Sequence, residues 1–194
     1  VFHLYEQVRS APDAPTGWRA WRDQRDALFK GHEQSPIPES ERGSFAGLNL
    51  FDYSPRFRTT GEITPEEPMR YEIGTSGEGT FSFTRFARVT FELLEETHSL
   101  ELYWLDGYGG GLFLPFRDGT SGSTTYGAGR YLFDTVKGAD LGMEGDLLVL
   151  DFNFAYNPSC SYDPRWVCPL APPPNRLDVA IEAGERHIDR SKTA

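Results

Sequence analysis

Sulfur and imidazole are scarce in this 194-residue chain, which holds two cysteines, Cys160 and Cys168, and four histidines. Two cysteines cannot form the framework of a disulfide-stapled mini-domain, and a structural zinc site takes four ligands. His3, His32, His98 and His187 stand far apart. No H-x-H or H-E-x-x-H spacing occurs, so no cupin-type or metalloprotease metal site is written here. The chain also lacks any apolar run near the ~20 residues that span a bilayer, and its mean hydropathy is −0.50. Basic charge is short too: 19 Lys and Arg against 29 Asp and Glu leave a net charge of −10. Nucleic acid and anionic membrane surfaces both need a basic field, so neither is an expected partner. The chain does not open on a charged n-region followed by an apolar h-region, and the expected compartment is the cytoplasm. A bridge between Cys160 and Cys168 stays open even there.

What is present suffices for a core. Hydrophobic residues are 38% and aromatics 14%, which excludes global disorder, and the length suits one domain over 1–194. The first stretch, 1–31, reads helical. Leu4, Tyr5 and Val8 form a stripe over 2–9; after a break at 10–15, Thr16 stands as an N-cap ahead of Trp18, Trp21, Arg25 and Leu28 at helical spacing, with Gly31 as the stop. Two tryptophans on one stripe predict a helix docked on the outside of a sheet. Residues 32–56 hold too much proline and glycine for long elements, yet carry Phe45, Leu48, Leu50 and Phe51, and so form an irregular belt. From about 57 to 185 the period becomes two. Strands are expected over 81–94, 99–105, 112–116, 124–133, 147–156 and 177–183, with Met69, Tyr71 and Ile73 alternating in another and GYGGG (107–111) as a hairpin tip. The fold class is mainly β, an antiparallel barrel or sandwich, with 186–194 as a tail.

Candidate functional residues are those that break the alternation. Arg85 falls on the apolar face between Phe83 and Ala87. Asp151 and Asn153 project together from 147–156, about 7 Å apart if the strand runs straight. Arg130 shares a face with Tyr126, while Gly127 and Gly129 leave the other face bare. These predict a polar hollow lined by Arg85, Tyr126, Arg130, Asp151 and Asn153 that holds a small polar or anionic molecule. The competing structural reading is an Arg130–Asp151 or Arg85–Asp151 ion pair that braces the sheet. Asp151 is the one candidate acid or base, for a hydrolase or transferase.

No strong catalytic signature is present, and no particular cofactor is implied. The glycine runs at 74–79 and 107–111 fit neither dinucleotide nor nucleotide-phosphate spacings. Glu66–Glu67 and Glu95–Glu96 read as solvated turns, as does His98 in EETHS. Cys160 is the sole conceivable thiol nucleophile, though a buried structural role suits it better. A homodimer built on sheet edges and aromatics is a third reading.

The segments YGGGLFLPFRDGTSGSTTYGAGRYL and DFNFAYNPSCSYDPRWVCPLAPPPNRLDVAIEAGER, with WRDQRDALFKGHEQSPIPESERGSFAGLNLF before them, resemble a bacterial and archaeal family known as domain of unknown function sixteen eighty-four. The likeness runs from about Trp18 to Glu185. It implies a single-domain bacterial protein and brings no activity, cofactor or catalytic residue with it.

Overall fold

The computed structural model describes residues 1–106 and 110–187. Residues 107–109 of the expected glycine tip and residues 188–194 of the expected tail lie outside the described residues. Two helices open the chain, α1 (Phe2–Arg9) and α2 (Ala14–Gly31). The cap of α2 is Asp13, not Thr16: its carboxylate accepts the Thr16 N–H at 2.7 Å and Pro15 occupies the first turn. An aspartate ahead of a first-turn proline outcompetes a threonine already inside the helix. Trp18 and Trp21 are buried as expected, and Trp21 Nε1 donates to the Tyr5 hydroxyl at 3.0 Å, tying α2 to α1. The belt has one helical turn, α3 (Glu39–Arg42). Below it, Leu48 and Ile37 are buried with Phe29 of α2 and Tyr162.

Seven strands follow: β1 (Arg58–Gly74), β2 (Thr80–Leu93), β3 (Glu96–Leu105), β4 (Leu112–Phe116), β5 (Arg130–Asp134), β6 (Met143–Glu144) and β7 (Leu147–Asp151). They form one antiparallel sheet in the order β5-β4-β3-β2-β1-β7-β6. The fold is therefore mainly β with a few helices, and the sheet is open, its outer members β5 and β6 not being neighbours.

Bulges bend the sheet and decide which side chains meet. The β1–β2 register slips between Pro65 and Met69, and the β2–β3 register between Arg85 and Ala87. An extra residue in one strand breaks the alternation and turns the strand. The single apolar face expected for 81–94 accordingly splits. Ala87, Val89, Phe91 and Leu93 enter the main core with Trp18, Trp21, Leu150 and Phe152, whereas Phe81 and Phe83 join Ile73, Tyr103, Phe113 and Tyr131 in a second cluster. The β2–β3 hairpin turns on Leu94 and Glu95 alone, both at positive φ, a two-residue loop whose twist matches the strands. His98 thus lies within β3 and not in a turn, its Nε2 3.2 Å from the Leu93 carbonyl oxygen.

Three expected strands are shortened or absent. Residues 124–129 form turns, with Gly129 at φ +101°. β7 stops at Asp151 because that carboxylate captures the Asn153 N–H at 3.0 Å and starts a single 3-10 turn. Residues 177–183 run as irregular chain without a strand ladder, held by backbone bonds to Arg117 and Gly119 and by the Arg130 and Asp118 side chains. Gly184 then passes so close to residues 152–155 that a Cβ would sit 2.4 Å from the Ala155 carbonyl oxygen, at φ +73°. Gly184→Ala is therefore expected to cost more than about 1 kcal/mol, read as a lower denaturant midpoint.

Candidate functional site

The five residues expected around one hollow lie in separate networks. Arg130, 1% exposed, is the most enclosed. Its Nη2 donates to Asp118 Oδ2 at 2.9 Å and to the Ile181 carbonyl at 3.0 Å, and its Nη1 donates to the carbonyls of Ala183 and of Glu185, the latter at 3.2 Å. The guanidinium also stacks 5.3 Å over the Phe116 ring. Asp118 Oδ1 in turn accepts from the Thr120 N–H and hydroxyl and from the Ile181 N–H. The partner of Arg130 is thus Asp118 and not Asp151, because the chain turns at 118–129 and brings the start of that turn back beneath β5.

Arg85 pairs elsewhere. Its Nη1 lies 2.8 Å from Glu66 and 3.6 Å from Glu101, and its Nη2 donates to the Glu67 carbonyl at 3.1 Å. Arg88 binds the same two carboxylates. Two arginines three apart could not do so from a regular strand, and the bulge between them makes it geometrically allowed. Glu66 is therefore a half-buried ion-pair partner, not a solvated turn residue. Glu101 completes this knot by accepting from the Tyr103 hydroxyl at 2.5 Å. Tyr126 is in a third place, its hydroxyl 3.7 Å from Cys160 Sγ and its ring stacked on His187. Cys160 and Cys168 are both free thiols.

Asp151 and Asn153 do meet, through the turn that ends β7. Asp151 Oδ1 accepts from the Asn153 N–H at 3.0 Å and its side-chain amide at 2.8 Å. Asn153 is otherwise held by the Ser54 backbone and accepts from Trp18 Nε1 on its carbonyl. The second carboxylate oxygen is looser: the Tyr53 hydroxyl donates to Oδ2 from 3.3 Å, and Arg58 Nε stands 3.9 Å away. Asp151 is 1% exposed as a residue, and burial raises its pKa above the usual 3.8 against the opposing hydrogen bonds of Asn153 and the charge of Arg58.

Asp151 and Arg58 line a cavity of about 330 Å³ between the α1–α2 joint and the β6–β7 hairpin. Its rim carries Arg9, Asp13 and Glu144, and its floor Val8, Leu141, Val149 and Phe154. Arg9 donates to the Asp140 carbonyl and Arg58 is paired with Glu144. Arg9, Tyr53, Arg58 and Glu144 were not foreseen. Arg9 and Glu144 are exposed, Arg58 opens β1 and Tyr53 lies in the irregular belt, so no break in alternation marks any of them. Among the described residues no group of three His, Cys, Asp or Glu side chains converges as a metal site would. No helix among them is long and apolar enough to cross a membrane.

A family model described as Protein of unknown function (DUF1684) matches residues 43–186. No curated protein matches the chain. Among solved structures, the solution NMR structure of the uncharacterized protein from gene locus rrnAC0354 of Haloarcula marismortui is 40% identical, with a TM-score of 0.63 over 88% of this chain and 92% of that one.

Proposed function

Given that the chain belongs to the DUF1684 family of proteins of unknown function, we propose that it is a cytoplasmic, single-domain binding protein for a small polar or anionic molecule, seated in the cavity at Asp151 and Arg58. In this reading the curled sheet acts as an incompletely closed barrel, and the cavity opens beside its β7 side. The observation that carries the proposal is a buried carboxylate oxygen, Asp151 Oδ2, with only long contacts, in a cavity that Arg58 and Arg9 also line. A ligand hydroxyl or amine would donate to Oδ2, and an anionic group would take the guanidinium forks. Arg85 and Arg130 do not line this cavity and stand in ion-pair networks of their own.

The raised pKa of Asp151 bears on stability. A carboxyl whose folded pKa lies above its unfolded value binds its proton more tightly when folded, so its contribution declines as pH rises from 3.8 through the raised value. Asp151→Asn is therefore expected to melt no lower than wild type at pH 7, with its relative stability improving between pH 4 and pH 7. A charged group that lines a cavity and opposes folding is what a binding residue looks like.

Thermal melts against a panel of carboxylates and phosphates test the proposal. A true ligand at about 100 times its Kd adds about 2.7 kcal/mol, or roughly 5–10 °C for a chain of this size. Asp151→Asn and Arg58→Ala should abolish the rise while remaining folded. The idea is lost if every compound leaves the melt unmoved, or if the rise survives both substitutions. The raised pKa favours one further reading, Asp151 as acid or base of a hydrolase or transferase with Arg58 and Asn153 orienting the substrate. Recovery of a chemically altered ligand after incubation would select it.

A further inference from the structure

The loop after the 3-10 turn at Phe152–Phe154 places two cysteines, eight residues apart, against each other. The Cys160 N–H is aimed at Cys168 Sγ from 3.4 Å, so the two side chains meet. Their surroundings are unequal. Cys160 is half-buried, with the Tyr126 hydroxyl 3.7 Å from its Sγ, whereas Cys168 is buried and its Sγ faces the Cys160 N–H. The segment bearing Cys168 is fixed to the β1–β2 turn, with the Cys168 N–H donating to Ser76 Oγ at 3.1 Å and the Ser76 N–H to the Cys168 carbonyl at 3.0 Å. The Tyr131 hydroxyl holds the next carbonyl, that of Pro169, at 2.5 Å.

We infer that Cys160 and Cys168 form a reversible thiol–disulfide site, with Cys160 attacking a low-molecular-weight disulfide and Cys168 resolving the product. The Cys160 thiolate forms a bond to one sulfur of RSSR; the S–S bond breaks, and the departing thiolate takes up the proton that Cys160 gave to solvent. Cys168 then loses its proton and attacks Cys160 Sγ, expelling the second thiolate, which is protonated in turn. Two protein thiols are oxidised to one disulfide, and one RSSR is reduced to two RSH. The roles follow from the unequal burial of the two thiols and from the Tyr126 hydroxyl beside Cys160. Donors converging on Cys160 bring its thiol down from 9.0 to about 6, with the Cys168 thiol the largest contributor, while giving that hydrogen bond and being buried push Cys168 up. A low-pKa, accessible thiol beside a resolving thiol is the arrangement that thiol–disulfide exchange needs. Ser76, Tyr126, Tyr131 and Lys137 are the other polar groups facing the pair.

Oxidised glutathione at neutral pH is the probe, with intact-mass spectrometry of the native full chain as the readout. The wild type should lose two hydrogens and retain no glutathionyl group, and a reductant should restore both thiols. Limited alkylation followed by peptide mapping should label Cys160 before Cys168, with a rate that is half-maximal near pH 6. In Cys168→Ser the glutathionyl adduct should be trapped on Cys160. The inference is overturned if the wild type keeps both thiols under conditions that oxidise the unfolded chain, if it accumulates a stable adduct, or if Cys168 is alkylated first. The two wild-type measurements decide this whether or not a variant folds, and none of them depends on the Asp151 cavity.

Discussion

Arg130→Ala is expected to destabilise the protein by about 3–5 kcal/mol, the range for removing one partner from a buried, hydrogen-bonded ion pair. The loss is more than one salt bridge. Asp118 would be left charged at about 1% exposure, and the carbonyls of Ile181, Ala183 and Glu185 would lose their donor inside the protein. Those three carbonyls lie on a segment without a strand ladder, so the guanidinium stands where a neighbouring strand would otherwise be. Arg130→Lys should recover little, because a single ammonium cannot reproduce a planar fork that serves four acceptors. Urea titration is the direct measurement: the midpoint should fall with the slope unchanged. A second, independent sign is faster hydrogen exchange at Gly119, Leu177 and Ile181, whose N–H groups are hydrogen-bonded between this segment and residues 117–119. Wild-type stability in Arg130→Ala would refute the bracing role and return Arg130 to the list of binding residues.

The outcome at Arg130 illustrates what alternation can and cannot reveal. That Arg130 faces inward was legible, since a charge amid YGAGRYLF has nowhere else to go. Its partner was not, because Asp118 reaches it through a run of turns in which period-two reasoning has no meaning. At Arg85 the failure has another cause: one extra residue in β2 moves Arg85 and Arg88 onto the same carboxylates and divides the apolar face between two clusters. A bulge leaves no mark in an apolar–polar pattern that continues smoothly through it. Asp151 and Asn153 were correctly brought together for the wrong reason. Spacing along a strand placed them side by side, while the actual contact is an aspartate closing a turn on the residue two ahead. The helices, where a 3.6-residue period extends over several turns, were legible nearly in full, down to both buried tryptophans.

The same contrast separates the groups that hold the fold from those available to a ligand. Glu185 is 0% exposed and accepts from Arg25, from the Tyr162 hydroxyl and from the Asn157 N–H at 2.9 Å. Glu101 receives two arginines and a tyrosine. Each of these acids is surrounded by donors. Asp151 has one oxygen so served and the other only weakly, and it alone among these buried carboxylates lines the cavity.

Trp21→Ala is the second large effect, at about 3–5 kcal/mol for emptying a fully buried indole. Trp21 is 0% exposed, meets the Phe154 ring edge-on at 5.3 Å between centroids, and has the Arg25 guanidinium 4.8 Å over it. Trp21→Phe preserves most of that packing and removes only the donor to Tyr5, so about 0.5–1.5 kcal/mol is expected from it. The comparison bears on function because α1 and the α1–α2 joint form one wall of the Asp151 cavity, and the Trp21–Tyr5 bond ties that wall to α2. Trp21→Ala should therefore weaken ligand binding and stability together. Arg58→Ala should weaken binding with little effect on stability, since its ion pair with Glu144 is partly exposed. Calorimetric titration of both variants, run below their melting temperatures, distinguishes a wall that shapes the cavity from a side chain that contacts the ligand. If Trp21→Ala binds as tightly as wild type, the helical wall contributes only to folding, and the binding face reduces to β1, the β6–β7 hairpin and the Asp151 turn.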